Sequence, residues 1–139
     1  MSFGQTSLAV TLLMIFSIAC GQTVSTPERG NPERQQILDA ARVKVAADLS
    51  YQDPILFKVQ DLRVSEGWAL LQAQPVTTSG QPIHMDCVAA DEITLVLLHL
   101  YNGAWRVERG GTTCANDVFW LEWHQELGAP AQLFDLTAD

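Results

Sequence analysis

The chain has 139 residues, 47% of them hydrophobic, and a net charge of −8 at pH 7. This length fits one domain with a core of its own. The acidic balance argues against nucleic-acid binding, which needs a basic surface, and against adhesion to anionic lipid, and it favours a cationic partner.

The chain begins with an apolar leader. Residues 8–20 read LAVTLLMIFSIAC, carry no charge and end on small residues. The run is shorter than the roughly 20 apolar residues that cross a bilayer as a helix, and it is typical of a secretory signal peptide. We therefore predict a signal peptide over residues 1–21 and export to the periplasm or envelope of a bacterium.

Processing of the leader has two interpretations. The segment Ser17-Ile18-Ala19-Cys20 resembles a bacterial lipobox, in which Cys20 would be lipidated and become the new N-terminus. Ser17 departs from that motif, which has Leu or a similar apolar residue there. Alternatively, an ordinary signal peptidase cuts nearby and releases a soluble form. The remaining readings are a buried helix of a cytosolic domain and a membrane anchor. In the lipidated form, the anchor at Cys20 is the predicted membrane contact.

A polar segment follows, over residues 22–31. It is rich in Ser, Thr, Pro and Gly and has no apolar period, so we predict a linker. The rest of the chain, residues 32–139, is predicted to be one α+β domain.

The first predicted element of this domain is a helix. Asn31 is a good N-cap and Pro32 suits the first helical position. Apolar residues then recur at helical spacing up to Leu49. The helix is predicted to end there, because Asp53-Pro54 opposes its continuation.

Two hairpins are predicted next. In the first, the strands Ile55–Ser65 and Trp68–Val76 flank the turn Glu66-Gly67. The apolar parity changes within the first strand, so either a bulge lies near Gln60-Asp61 or the strand is buried on both faces. A polar loop follows over residues 77–81.

The second hairpin has the strongest turn signal, Asn102-Gly103, between the strands Ile93–Tyr101 and Ala104–Arg109. Its register predicts one core face. The members of that face are Val96, Leu98, Leu100, Trp105 and Val107. Leu95 and Leu97 share the opposite face with polar residues.

Three cysteines are present, and loss or lipidation of Cys20 leaves the pair Cys87 and Cys114. Extending the hairpin register without interruption places Cys87 a few residues from Cys114, at the open end. In an oxidising compartment such a pair forms a bridge. We therefore predict a Cys87–Cys114 disulfide, with two buried free thiols as the alternative.

The C-terminal part is predicted to contain a short helix that Asn116 caps and Gly128 ends. Its apolar stripe is expected to dock on the sheet. The residues of the stripe are Phe119, Trp120, Trp123 and Leu127.

Several segments in this order resemble a group of uncharacterised small exported bacterial proteins. They are Ile37 to Arg42, Phe57-Lys58-Val59, Leu62-Arg63-Val64, Gly67-Trp68-Ala69, Trp105-Arg106-Val107 and Asn116-Asp117-Val118 with Trp120 and Trp123. The resemblance implies no activity and no catalytic residue. One helix followed by antiparallel hairpins is also similar to the cystatin-like and NTF2-like arrangement. We therefore predict an α+β fold, with an N-terminal helix on a four-stranded antiparallel sheet and a short C-terminal helix.

One group of residues is a candidate ligand or partner face. His99, Arg106 and Glu108 share one side of the second hairpin, and Trp68 and Trp105 add aromatic surface. The competing interpretations are a surface ion network for the polar residues and core packing for the tryptophans.

Motifs for catalysis, metal binding or cofactor binding are not recognisable in the sequence. His84, Asp86 and Cys87 lie close together, but no spaced partner completes a metal site. The predicted function is a non-catalytic binding or structural module, whose partner is an unidentified protein or small ligand. The alternatives are an NTF2-like small-ligand binder or enzyme with a cavity between helix and sheet, and an inhibitor of a secreted hydrolase acting through loops such as Thr77 to Pro82.

Overall fold

A computed structural model of the chain describes residues 23–135. The predicted signal peptide, residues 1–21, and Cys20 lie outside this range. The described part contains α1 (Pro32–Leu49), β1 (Leu56–Ser65), β2 (Trp68–Val76), β3 (Asp91–Tyr101), β4 (Ala104–Ala115), α2 (Trp123–Leu127) and a 3-10 helix (Ala131–Phe134). The strands form one antiparallel sheet in the order β1-β2-β3-β4. The predicted α+β fold is confirmed.

Helix α1 begins and ends as predicted. The side chain of Asn31 accepts a hydrogen bond of 2.8 Å from the main-chain nitrogen of Glu33, and Pro32 occupies the first turn. At the other end, Ser50 adopts a left-handed conformation and donates its N–H to the last carbonyls. Both termini therefore have partners for main-chain groups that the helix leaves unpaired.

Both predicted hairpin turns are present. Glu66, Gly67, Asn102 and Gly103 all have positive φ, between 49° and 78°. Positive φ at both central residues is typical of the tight turns that match the twist of the strands. The predicted bulge in β1 is also confirmed, because the pairing with β2 shifts between Val59 and Asp61.

The unbroken register predicted for the second hairpin is wrong. Leu98 pairs with Val107 as expected, but Leu97 pairs with Arg109, so Glu108 is an extra residue in β4. Beyond this bulge the strands stay paired as far as Asp91 and Ala115. Strand β4 is therefore longer than the predicted Ala104–Arg109.

The sheet is covered on both faces. The helix face packs against α1, and its buried residues include Leu71, Val96 and Leu98. The other face, which we call the C-terminal face, includes the buried Leu95 and Leu97. Packed against it is the segment that follows β4, with the predicted stripe of Phe119, Trp120, Trp123 and Leu127. The predicted docking of this stripe is confirmed.

Two further predictions are wrong, one about the core and one about a helix cap. Leu100 lies on the helix face near the hairpin turn, beyond the packed core, and is 38% exposed. Asn116 does not cap a helix, because α2 begins at Trp123. Its side chain instead donates a 3.1 Å hydrogen bond to the carbonyl of Ala89. Gly128, at φ 74°, ends α2 as predicted.

The predicted disulfide joins Cys87 and Cys114, whose Cα atoms lie 5.5 Å apart. It fastens the segment before β3 to the far end of β4. Glu92 holds the same segment, because its carboxylate lies 2.8 Å from Nδ1 of His84 and accepts a 2.6 Å hydrogen bond from the main-chain N–H of Met85.

The segment predicted as a linker is partly docked. Ser25 and Val64 exchange two main-chain hydrogen bonds of 2.8 Å, and the Thr26 hydroxyl donates to the carbonyl of Leu62. Residues 25 and 26 thus cover part of the outer edge of β1. Within residues 23–135, no helix is both long and apolar enough to cross a membrane.

Candidate functional site

A polar and aromatic group lies on the C-terminal face at the hairpin end of the sheet. We call it the hairpin-end cluster, and it consists of Trp68, His99, Tyr101, Arg106 and Glu108. Trp68 pairs with His99 across β2 and β3, and His99 pairs with Arg106 across β3 and β4. Residues that pair directly share a face of the sheet, so the strand register itself assembles this group.

The rings of the cluster contact each other closely. The Trp68 and His99 rings are stacked, with centroids 3.8 Å apart and planes 9° from parallel. Tyr101 meets His99 edge to face at 4.4 Å. The guanidinium carbon of Arg106 lies 5.8 Å from the centre of the Tyr101 ring, within the range of a cation–π contact. Trp68 is buried, whereas Tyr101 and Arg106 are exposed.

Charged groups flank the exposed ring. A hydrogen bond with the Glu108 carboxylate raises the pKa of the Tyr101 hydroxyl, and the charge of Arg106 opposes this shift. Tyr101 is therefore a neutral hydrogen-bond donor at neutral pH. The cluster presents an exposed aromatic ring, a cation and a carboxylate within one small area.

Two polar atoms near this area have no hydrogen-bond partner among residues 23–135. They are Nδ1 of His99 and the hydroxyl of Ser65, and both atoms are shielded from solvent. Ser65 is 3% exposed and pairs with Trp68, so it belongs to the same cross-strand row. Buried polar atoms are almost always hydrogen-bonded in folded proteins. These two atoms are buried polar groups of the row for which the described fold supplies no hydrogen bond.

The sequence-predicted face is only partly assembled in this way. Trp68, His99, Arg106 and Glu108 lie together, but Trp105 pairs with Leu100 and is buried in the core under α1. Adjacent strand residues point to opposite faces, and this separates Trp105 from Arg106.

Sequence reasoning missed Tyr101 and Ser65. The alternation that groups His99 with Leu97 also places Tyr101 on the same face, so the sequence pattern could have predicted that Tyr101 belongs to the group. The position of Ser65 in this row could not have been predicted in the same way, because it depends on the β1–β2 register and on the burial of the side chain.

A second concave site lies beside β4, between α1 and the C-terminal segment. This β4-edge cleft has a volume of about 820 Å³. Its floor consists of the consecutive residues 110–115, and its walls include Lys44 and Asp48 on one side and Phe119 and Trp123 on the other.

His84, Asp86 and Cys87 do not form a cluster suited to a metal. Cys87 is in the disulfide, and His84 contacts Glu92 instead. Among residues 23–135, no group of three or more His, Cys, Asp or Glu side chains is placed to hold a metal ion.

The fold and the cluster define a small, disulfide-linked α+β protein with a polar and aromatic surface at one end of its sheet. Comparison of the chain with protein-family models, curated proteins and solved structures finds no match. The resemblance to small exported bacterial proteins therefore stays a prediction, and the function is inferred from the described residues.

Proposed function

We propose that the protein is a non-catalytic binding module of the bacterial envelope, which recognises its partner through the hairpin-end cluster. The observation that carries this proposal is the exposed Tyr101 ring, which meets the half-buried His99 edge to face at 4.4 Å and has the exposed Arg106 guanidinium 5.8 Å from its centre. An exposed aromatic ring beside an exposed cation offers a partner ring-stacking, cation–π and charge-assisted contacts.

The composition of the cluster supports a binding role. Tyr, Trp and Arg are the residues that most often dominate binding energy at protein interfaces. Here, stacking between Trp68 and His99 and the cross-strand pairing hold the side chains in place before binding. Such preorganisation lowers the entropy that association costs.

The compartment is inferred from two features. The leader, residues 1–21, is typical of export. The Cys87–Cys114 disulfide is compatible with an oxidising space such as the periplasm.

The alternative of an NTF2-like small-ligand binder or enzyme needs a cavity between α1 and the sheet. At that interface Ile37, Ala41 and Val45 are fully buried in one cluster with Leu71 and other sheet residues. The tight packing between α1 and the sheet favours the hairpin-end cluster, rather than the interior, as the binding site.

The inhibitor alternative places the contact in the loop from Thr77 to Pro82. That loop joins β2 to β3, at the end of the sheet opposite both hairpin turns. Its own hydrogen bonds, including 2.8 Å between Thr77 N–H and the Gln81 carbonyl, keep it folded back on itself. A contact there would leave the hairpin-end cluster unused.

The test is site-specific photo-crosslinking in the envelope. A photoreactive side chain substituted at Tyr101 is expected to give a discrete adduct. The same group at Val43, which is 75% exposed on α1, is the matched control and is expected to give none. Arg106→Ala is expected to weaken binding of the identified partner by about tenfold, equivalent to about 1.4 kcal/mol. Identical adducts from both positions, no adduct, or unchanged binding of the Arg106→Ala variant would refute the proposal.

A further inference from the structure

We propose that the β4-edge cleft binds an extended, basic peptide of another protein, which adds to the sheet as a strand beside β4. This site is distinct from the hairpin-end cluster, because it lies at the other end of β4. The two proposals therefore stand or fail separately.

The floor of the cleft provides main-chain hydrogen-bonding groups. Strand β4 is an edge of the sheet, and its residues 110–115 all line the cleft. The N–H of Thr112 points away from β3, because it donates a 3.0 Å hydrogen bond to the carboxylate of Asp48. Main-chain groups alternate in direction along a strand, so those of Gly110 and Cys114 face the cleft as well. The edge on either side of Thr112 has no strand beside it, and such an edge is a template for an added strand.

The contact with Asp48 shows that this edge can donate a main-chain hydrogen bond to an acceptor outside the sheet. Its carboxylate accepts the hydrogen bond that a carbonyl oxygen of an added strand would otherwise accept from Thr112. It also forms an ion pair with Lys44, one helical turn earlier. On peptide binding, a peptide carbonyl replaces the carboxylate at Thr112, and Asp48 stays paired with Lys44 or with a cation of the peptide.

The walls of the cleft fit the two faces of a strand. Phe119 and Trp123 form an aromatic wall, with ring centroids 5.7 Å apart. Lys44 and Asp48 form the wall on the side of α1. Since alternate side chains of a strand point in opposite directions, one set would contact the aromatic wall and the other would face the helix.

Charge identifies the kind of peptide. The cations of the cleft are already paired, Lys44 with Asp48 and Arg109 with Glu126 at 2.8 Å. Asp117 also lines the cleft and has no ion-pair partner within residues 23–135. The chain as a whole carries a charge of −8. A peptide with lysine or arginine side chains therefore complements this edge.

The experiment uses the whole protein with its disulfide intact and a synthetic peptide of alternating lysine and valine, about six residues long, the usual length of a strand. A matched peptide carries N-methyl groups on alternate residues, so it keeps the charges and side chains but loses main-chain donors. In amide NMR spectra, the first peptide is expected to shift the signals of Gly110, Thr112 and Cys114 and slow their hydrogen exchange. The N-methylated peptide is expected to bind at least about tenfold more weakly, a difference of about 1.4 kcal/mol.

Two variants test the charge argument. Asp117→Lys is expected to weaken binding of the lysine–valine peptide by about tenfold, whereas Glu33→Lys, the same change of charge at the far end of α1, should leave it within about twofold. Dispersed amide spectra of both variants would show that they fold. Equal binding of the two peptides, no signal shifts within residues 110–115, equal effects of the two variants, or no binding at about 1 mM peptide would each overturn the proposal.

Discussion

Gly110 and Gly111 are held where side chains do not fit. Gly110 has φ 90°, and a Cβ built on it would lie 2.1 Å from the carbonyl oxygen of Leu95 and 2.8 Å from the ring of Trp123. At Gly111, with φ 141°, a Cβ would lie 2.0 Å from the carboxylate of Asp48. These glycines therefore let α1 and the C-terminal segment approach β4 closely from its two sides.

Gly110→Ala is expected to destabilise the protein more than Gly80→Ala. Both glycines have similar φ, 90° and 86°, so both variants incur the cost of a left-handed alanine, about 1–2 kcal/mol. A Cβ at Gly80 meets nothing within 4 Å, whereas at Gly110 it overlaps main chain. The overlap should add about 1–3 kcal/mol. Urea unfolding of the two variants measures the difference, and equal midpoints would contradict the expected clash.

The same glycines show where residue-level prediction stops. Two adjacent glycines are a turn or loop signal, and the predicted strand ended before them, at Arg109. In the structure the ladder continues to Ala115, because positive φ at both glycines is compatible with continued pairing to β3. The sequence shows that Gly110 and Gly111 can adopt positive φ. It does not show that Leu95, Trp123 and Asp48, which come from other parts of the chain, leave no room for a side chain there.

The Cys87–Cys114 disulfide is a constraint on the β3–β4 hairpin. It closes a chain segment with a sequence separation of 27. Replacing both cysteines with serine is expected to lower the free energy of unfolding by about 3 kcal/mol, since the unfolded chain regains the entropy of that loop. Urea unfolding measures the loss. Reducing the unmodified protein should produce the same shift, and an unchanged midpoint in both experiments would show that the bridge does not stabilise the fold.

Elements with local signals were predictable, and those set by distant contacts were not. The cap at Asn31 and the turn Asn102-Gly103 are encoded by residues next to each other, so α1 and the second hairpin could be located. The bulge at Glu108 and the use of Asn116 depend on contacts with other elements. For the candidate site, strand alternation could group His99 with Arg106. Only the three-dimensional structure shows that Nδ1 of His99 is buried and has no hydrogen-bond partner in the part of the chain that the structure describes.

At the scale of the whole molecule, the docked N-terminal segment would limit the distance between the domain and a membrane that held a lipid-anchored Cys20. The polar residues 22–31 are predicted to form a linker, but Ser25 already pairs with Val64 at the edge of β1. Five peptide units separate position 20 from Ser25 in the sequence. Even fully extended, they span at most about 18 Å. A lipid at Cys20 would therefore hold the domain close to the bilayer surface.

The proposed export is tested by the intact mass of the protein recovered from the envelope fraction. We expect a chain that lacks the leader and has lost two hydrogen atoms through the Cys87–Cys114 bridge, because a signal peptide over residues 1–21 would direct the chain to an oxidising space. An acyl mass on a chain that begins at Cys20 would identify the lipidated form, and a free N-terminus would identify the soluble one. Cys20→Ala is the matched variant, since it removes the lipid acceptor and leaves the disulfide cysteines unchanged. A full-length, reduced chain in the cytosol would contradict export and, with it, the envelope role proposed for the hairpin-end cluster.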